Sequence, residues 1–247
     1  MSMISRVRCL LYLLLSSVLL AFFHLLLLLA NFFANDDLHY RGIDALNRSL
    51  LALPSLLGLS VQLPTLQKLP DGRPVLVLAN HQHALDVSGL GWIFRHARLR
   101  YVAKIELGHG IPSVSRHLRK GGSALIDRDN PRQAMKSLTQ LGQQLGREGG
   151  VVAIFPEGTR SRTGQMAAFH DGGVGVLLRQ VPDALIVPVA IHGTWQLGKP
   201  SAQKPQAIRF DVLPGFSASG MKAAEVVQRA EQLIAAQLLA DRTSSPS

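Results

Sequence analysis

The residue types able to do chemistry gather in three short segments of this chain. The first is Asn80-His81-Gln82-His83-Ala84-Leu85-Asp86. A histidine held by a carboxylate makes a general base near neutral pH, because the carboxylate fixes the tautomer and stabilises the imidazolium as it forms. Five residues apart, His81 and Asp86 do not share one face of a continuous helix. They meet if His81 lies in a loop and Asp86 in the first turn of the next helix, with the chain curling back. The same spacing also fits an Asp86 that only caps that helix. His83 is a competing base, and nothing in the sequence identifies its partner.

The second segment, Phe155-Pro156-Glu157-Gly158-Thr159-Arg160-Ser161-Arg162, puts a glycine where the backbone can turn tightly and approach a ligand. Arg160 offers paired donors for a phosphate. An ordinary turn with solvated charges has the same composition. The third, Lys104-Ile105-Glu106-Leu107, belongs to a basic stretch (Arg95, Arg98, Arg100, Lys104, Arg116, Arg119, Lys120) whose only acid is Glu106. Such runs are commonly solvated surface; beside an apolar anchor this one would face anionic headgroups. The chain has no G-x-S-x-G elbow, no phosphate-binding G-x-x-x-x-G-K-[ST] and no H-E-x-x-H. A base and cationic anchors, with no recognisable serine nucleophile or metal set, suit direct attack by a substrate hydroxyl without a covalent enzyme intermediate.

Composition narrows the partners. A formal charge of +10 calls for anionic surroundings, and phosphate-bearing substrates or an acidic membrane surface meet it. Nucleic acid does not fit, because aromatics make up only 6% and do not interleave with the basic residues as a stacking platform needs. Cys9 is the only cysteine, so neither an intrachain disulfide nor a cysteine-based zinc site is available.

These segments need a scaffold, and the texture after Gln67 supplies one. Continuous apolar runs at PVLVLAN, LRYVAK, SALIDR, VVAIFPEG and ALIVPVAIHG read as strands buried on both faces. Between them, Asp86 to His96 and Pro131 to Glu148 have helical composition, the latter with Asn130 as its cap. AIRFDVLP reads as a last strand, and Met221 to Leu239 as an amphipathic closing helix. Gly173-Val174-Gly175 reads as a turn leading into a helix. The fold class is therefore α/β, an αβα layered domain with a largely parallel sheet. Each polar segment follows a strand directly, where ligands bind in such sheets.

From Cys9 to Ala34 the chain is an apolar run, longer than the 20 or so residues that cross a bilayer and longer than a signal-peptide core. It reads as an uncleaved anchor. Arg6 and Arg8 favour a cytoplasmic start. A second apolar stretch, Ser49 to Pro64, is broken by Pro54 and Gly58 and reads as an interfacial helix. Paired with the first and dipping into one leaflet, it keeps the body on the cytoplasmic side of the inner membrane. The expected division is anchoring helices at 1–64, one catalytic domain at 65–241 and a disordered tail at 242–247.

Together and in order, NHQHALD, KIEL, FPEGTRS and the VPV at Val187-Pro188-Val189 resemble the four blocks of the glycerolipid acyltransferase family, which includes bacterial 1-acylglycerol-3-phosphate acyltransferase. The resemblance implies that His81 deprotonates the acceptor hydroxyl and Asp86 orients it. It further implies that Glu157, Gly158, Thr159 and Arg160 form the acceptor-binding turn, with Arg160 and Lys104 on the phosphate. It also implies a lysophosphatidic acid acceptor, acyl-CoA or acyl-carrier protein as donor, no metal cofactor, and work at the membrane surface. The chain departs from the family at His83, where serine is frequent, and at His170-Asp171-Gly172-Gly173, where a basic residue commonly precedes a glycine. Those departures keep open another lysolipid acceptor, such as a lyso-ornithine lipid or a lysophospholipid being remodelled. A hydrolase and a non-catalytic membrane-binding protein are the remaining alternatives.

Overall fold

A computed structural model describes residues 3–33, 35–65, 69, 72–199 and 207–244. Its helices are α1 (Met3–Phe32), α2 (Asp36–Ala52), α3 (Leu85–Ile93), α4 (Val114–Lys120), α5 (Pro131–Glu148), α6 (Gly172–Leu178) and α7 (Ala223–Ser244). The strands are β1 (Val61–Gln62), β2 (Pro74–Ala79), β3 (Arg100–Lys104), β4 (Ala124–Ile126), β5 (Gly150–Ile154), β6 (Leu185–His192), β7 (Ile208–Val212) and β8 (Phe216–Ser217).

The strands join in one sheet of order β1-β7-β6-β2-β5-β3-β4, with β8 also paired to β6. β2 to β6 run parallel, and only β7 and β8 meet β6 antiparallel. Successive residues of a strand face opposite ways, so the apolar run of β2 feeds two cores. Leu76 and Leu78 pack with Leu138, Leu141 and Leu145 of α5, Leu177 of α6 and Ile234 of α7. Val75, Val77 and Ala79 pack on the other face with Leu90, Ile93 and Phe94. The expected αβα layering follows from this two-sided burial.

Two local devices position the site. Asn130 accepts the Gln133 N–H and caps α5, as its sequence suggested. Gly89 of α3 sits against Phe210 of β7 so closely that a Cβ there would lie 2.2 Å from the ring. The absent side chain lets α3 settle onto the sheet and carries Asp86, one turn earlier, down to the strand ends.

The N-terminal elements differ in detail from expectation. The helix that pairs with α1 begins at Asp36, not in the apolar stretch at Ser49. Asn35 accepts the Leu38 N–H, Asp36 and Asp37 suit the positive helix end, and Ile43, Leu46, Asn47 and Leu51 bury one stripe. The stretch expected to be an interfacial helix instead tightens into a single turn at Leu53–Leu57 and ends at Gly58, in the left-handed conformation. Val61 and Gln62 then pair with β7, so the sheet begins before residue 64. Gly173-Val174-Gly175 lies inside α6 and is not a turn, and α7 carries residues 242–244 of the expected tail. The rest of that tail lies outside the described residues.

α1 is long and apolar enough to cross a membrane, and Leu10, Leu13, Leu14, Phe22, Leu25 and Leu29 are exposed along it. It is also fastened to the catalytic body. Ser113 donates its hydroxyl to the Leu20 carbonyl at 2.7 Å and its N–H to His24 Nδ1 at 3.0 Å. Lys120 holds Asn31 and Asp36, each at 2.8 Å. His24, the one histidine of this apolar helix, thus accepts a hydrogen bond from the catalytic body. Behind it, buried His39 of α2 stacks on His117 of α4.

Candidate active site

The parallel strands deliver their C-terminal ends to one edge, and β2 lies between β6 and β5. Three polar segments therefore meet there: the His81 loop after β2, the Glu157 turn after β5 and a short turn at Thr194–Gln196 after β6. Asn80 stitches two of them together. Its amide donates to the Ile191 carbonyl at 2.9 Å and accepts the Ile191 N–H at 2.7 Å.

Asp86 is fully buried and accepts four donors. Oδ2 takes His81 Nδ1 at 2.8 Å, the Gln82 N–H at 2.6 Å and the His83 N–H at 2.8 Å. Oδ1 takes the Thr194 hydroxyl at 2.6 Å. The curl expected of the loop is present, and the carboxylate both caps the turn and holds the imidazole. A carboxylate at Asp86 puts the imidazole proton on Nδ1, leaving His81 Nε2 as the free basic nitrogen. The His81 side chain is 16% exposed, enough to meet a substrate while its carboxylate partner stays dry. Its ring stacks on Phe155, with centroids 4.0 Å apart.

Glu157 turns inward. Its Oε1 accepts the His81 N–H at 2.6 Å and its Oε2 the Ala167 N–H at 2.8 Å. Burial raises its pKa above the ordinary carboxylate value, and the bonds from Ala167 and His81 oppose that. With both oxygens occupied by backbone amides, Glu157 ties the His81 loop to its own turn. The Ser161 N–H adds a bond to the His81 carbonyl at 2.8 Å. Gly158 has φ of 69°, in the left-handed region glycine favours.

A sequence model of the acyltransferase family matches residues 60–192, more than half of the chain. The chain belongs to the acyltransferase family.

Relatives of this acyltransferase include a human 1-acyl-sn-glycerol-3-phosphate acyltransferase beta, 31% identical over 172 residues, covering 68% of this chain and 60% of that one. A Pseudomonas aeruginosa 1-acyl-sn-glycerol-3-phosphate acyltransferase is 31% identical over 180 residues, covering 70% of this chain and 67% of that one. The match thus spans about three fifths of the human relative's length and two thirds of the bacterial one's. The crystal structure of the Thermotoga maritima 1-acyl-sn-glycerophosphate acyltransferase superposes with a TM-score of 0.76, covering 98% of this chain and 97% of that one at 21% identity. The whole fold, α1 and α2 included, is therefore shared.

Of the other residues singled out in the sequence, Thr159 and Arg160 are exposed on the turn beside the His81 loop. Lys104 is exposed at the end of β3, which β5 separates from β2. At about 4.8 Å per strand, it stands roughly two strand spacings from the His81 loop. Sequence reading missed Thr194, a lone threonine after a strand with no local pattern to mark it. It also missed Arg128, whose guanidinium flanks Gly158, 3.9 Å from where a Cβ would sit. Among the described residues, no three His, Cys, Asp or Glu side chains gather as metal ligands would.

Proposed function

We propose that this acyltransferase moves a fatty acyl group from acyl-CoA or acyl-carrier protein to the free hydroxyl of lysophosphatidic acid, giving phosphatidic acid. The observation that carries the reading is the His81–Asp86 pair, 2.8 Å long, with its carboxylate buried and its imidazole reaching the strand-end edge. His81 Nε2 takes the proton of the acceptor hydroxyl, and the oxygen attacks the donor's thioester carbonyl carbon. The tetrahedral intermediate then expels the thiolate by breaking the C–S bond, and the imidazolium returns its proton to the sulfur. No covalent enzyme intermediate and no metal enter this sequence. Arg160 holds the acceptor phosphate, with Lys104 as a second, more distant cation. The names borne by the human and Pseudomonas relatives support the choice of acceptor.

The exposed apolar side of α1 supports membrane attachment. Because α1 is fastened to the catalytic body at Leu20, His24 and Asn31, it lies along one leaflet beside that body. That favours a catalytic domain on the side where the chain starts, the cytoplasmic face of the inner membrane. The basic residues of that domain suit the anionic lipids of that surface.

The test is conversion of lysophosphatidic acid to phosphatidic acid by the detergent-purified chain with an acyl thioester. General-base assistance is worth about 10²–10⁴-fold, so His81→Ala should lose at least that much turnover while still binding lipid. Undiminished turnover in that variant overturns the mechanism.

A further inference from the structure

His83 stands two residues from His81 and has half of its hydrogen-bonding capacity free. Its Nδ1 accepts the Leu85 N–H at 3.1 Å. That bond occupies the Nδ1 lone pair, so the neutral ring carries its proton on Nε2. Nε2 has no hydrogen-bond partner among the described residues, and the ring is only partly buried. Burial pushes the His83 pKa below its ordinary value. Asp86 opposes that, while the charges of Arg160, His81 and Lys199 add to it. At neutral pH the ring is an uncharged N–H donor.

The groups around it are cationic. Arg160 comes alongside through the Ser161–His81 backbone bond. Lys199 is anchored to the Arg162 carbonyl and lies over the Trp195 ring, 5.2 Å from its centroid. Trp195 in turn packs against Gly164, where a Cβ would come within 2.4 Å of its indole nitrogen. Three loops, at 81–86, 157–164 and 194–199, thus close on one place. Arg160 and Lys199 are exposed and form no ion pair with a carboxylate among the described residues. The nearby carboxylates, Asp86 and Glu157, are buried with their oxygens occupied. Two cations without a carboxylate partner among the described residues, Lys199 already steadied by one carbonyl, and a neutral donor suit a tetrahedral anion with several acceptor oxygens.

We propose that the His83 Nε2–H and the Lys199 ammonium bind anionic headgroup oxygens of the lysolipid acceptor beside Arg160, so that His83 helps decide which headgroup is taken. The acyl-transfer reading supplies the identity of that acceptor. A phosphate monoester satisfies all three donors, whereas a headgroup ending in an ammonium meets two like charges.

Binding and turnover are measured separately so that the two readings fail separately. His83→Asn keeps the local bond, because an asparagine oxygen accepts the N–H two residues on, but its amide falls short of the Nε2 position. A hydrogen bond to a charged group is worth enough that lysophosphatidic acid in neutral detergent micelles should bind about tenfold more weakly or worse. Lys199→Gln should weaken it likewise. Binding of uncharged monoacylglycerol and of coenzyme A should stay within about twofold of wild type. An unchanged lysophosphatidic acid affinity in His83→Asn overturns the proposal. So does an equal loss for monoacylglycerol, which would mean loop collapse, or a loss for coenzyme A instead, which would give the pair to the donor. Wild type that fails to prefer lysophosphatidic acid over monoacylglycerol overturns it too. Wild type that binds as expected but makes no phosphatidic acid with either donor refutes the proposed reaction and leaves this binding assignment standing.

Discussion

Glu157→Gln keeps the shape of a buried side chain and removes one acceptor. The wild-type carboxylate serves two backbone donors, the His81 N–H at 2.6 Å and the Ala167 N–H at 2.8 Å. A glutamine has one oxygen and one NH₂, so in either orientation one of these amides faces another donor. Hydrogen bonds to a charged group contribute about 1.5–3 kcal/mol each, and a buried donor left without a partner costs about 1–3 kcal/mol. The substitution also removes the penalty of burying the ionised carboxylate, the penalty that raises its pKa. The net loss of stability should be about 1–3 kcal/mol, which for a chain of this size lowers Tm by several degrees. Catalysis should suffer more than stability. Misplacing a reacting group by about 1 Å can cost about 10²-fold, and the released amide belongs to the base itself. Steady-state kinetics with thermal melting of the same detergent preparation should show kcat reduced about 10-fold to 10²-fold, with acceptor KM little changed. A raised acceptor KM with kcat intact would mean that the carboxylate reads the substrate, as the family resemblance implied. Unchanged kcat and Tm would mean that neither bond matters.

Three further outcomes follow from the same geometry. Arg160→Ala should raise acceptor KM and leave kcat largely in place, and a loss confined to kcat would contradict its role on the phosphate. Thr194→Val deprives buried Asp86 Oδ1 of its hydroxyl donor, so the carboxylate that orients His81 is held less firmly and kcat should fall severalfold with acceptor KM little changed. Thr194→Ser should restore kcat, and an unchanged kcat in Thr194→Val would reduce Thr194 to a packing residue. Burial pushes both His39 and His117 down to about 4; Lys120 and Arg116 add to the shift at His39 while Asp36 opposes it, and His39 adds to the shift at His117. Between pH 6.5 and 4 the unfolded chain therefore binds protons that the folded chain refuses, so stability is complete above 6.5 and drains away as pH falls. At 1.36 kcal/mol per unit the full effect is at most about 3 kcal/mol per ring. Denaturation from pH 7 to 4.5 should show this slope, His117→Asn should flatten it, and an identical slope in that variant would refute the assignment.

How legible each part was depended on whether its cause is local. The central parallel strands β2, β5 and β6 announced themselves because burial on both faces demands unbroken apolar runs. β3 and β4, toward the sheet edge, are half-buried instead of covered on both faces as their sequence suggested. Asn130 announced α5 because a cap acts three residues away. The His81–Asp86 pair was visible as a spacing, although only the curled loop decides between a cap and a held base. In the structure Asp86 does both. Glu157 was legible only as part of an acceptor-binding turn, since sequence gives no sign that its carboxylate points inward to the His81 and Ala167 amides. Thr194 was invisible because its partner lies 108 positions away. α2 escaped notice because its first half is charged, and its buried stripe emerges only once α1 and α3 are there to cover it. β1 is two residues long, too short to carry a pattern.

The contact between Gly89 and Phe210 joins two positions far apart in the chain and not among the reacting groups. The glycine lets α3 rest directly on the aromatic ring, and the height of that helix sets how deep the Asp86 carboxylate sits relative to Thr194 and His81. Volume at residue 89 and volume at residue 210 are thus one variable, and it works on the dyad as a shim works beneath a mounted part. Descendants of this sequence can change either residue only by answering with the other, and a mismatched exchange would detune the base without touching any residue that does chemistry.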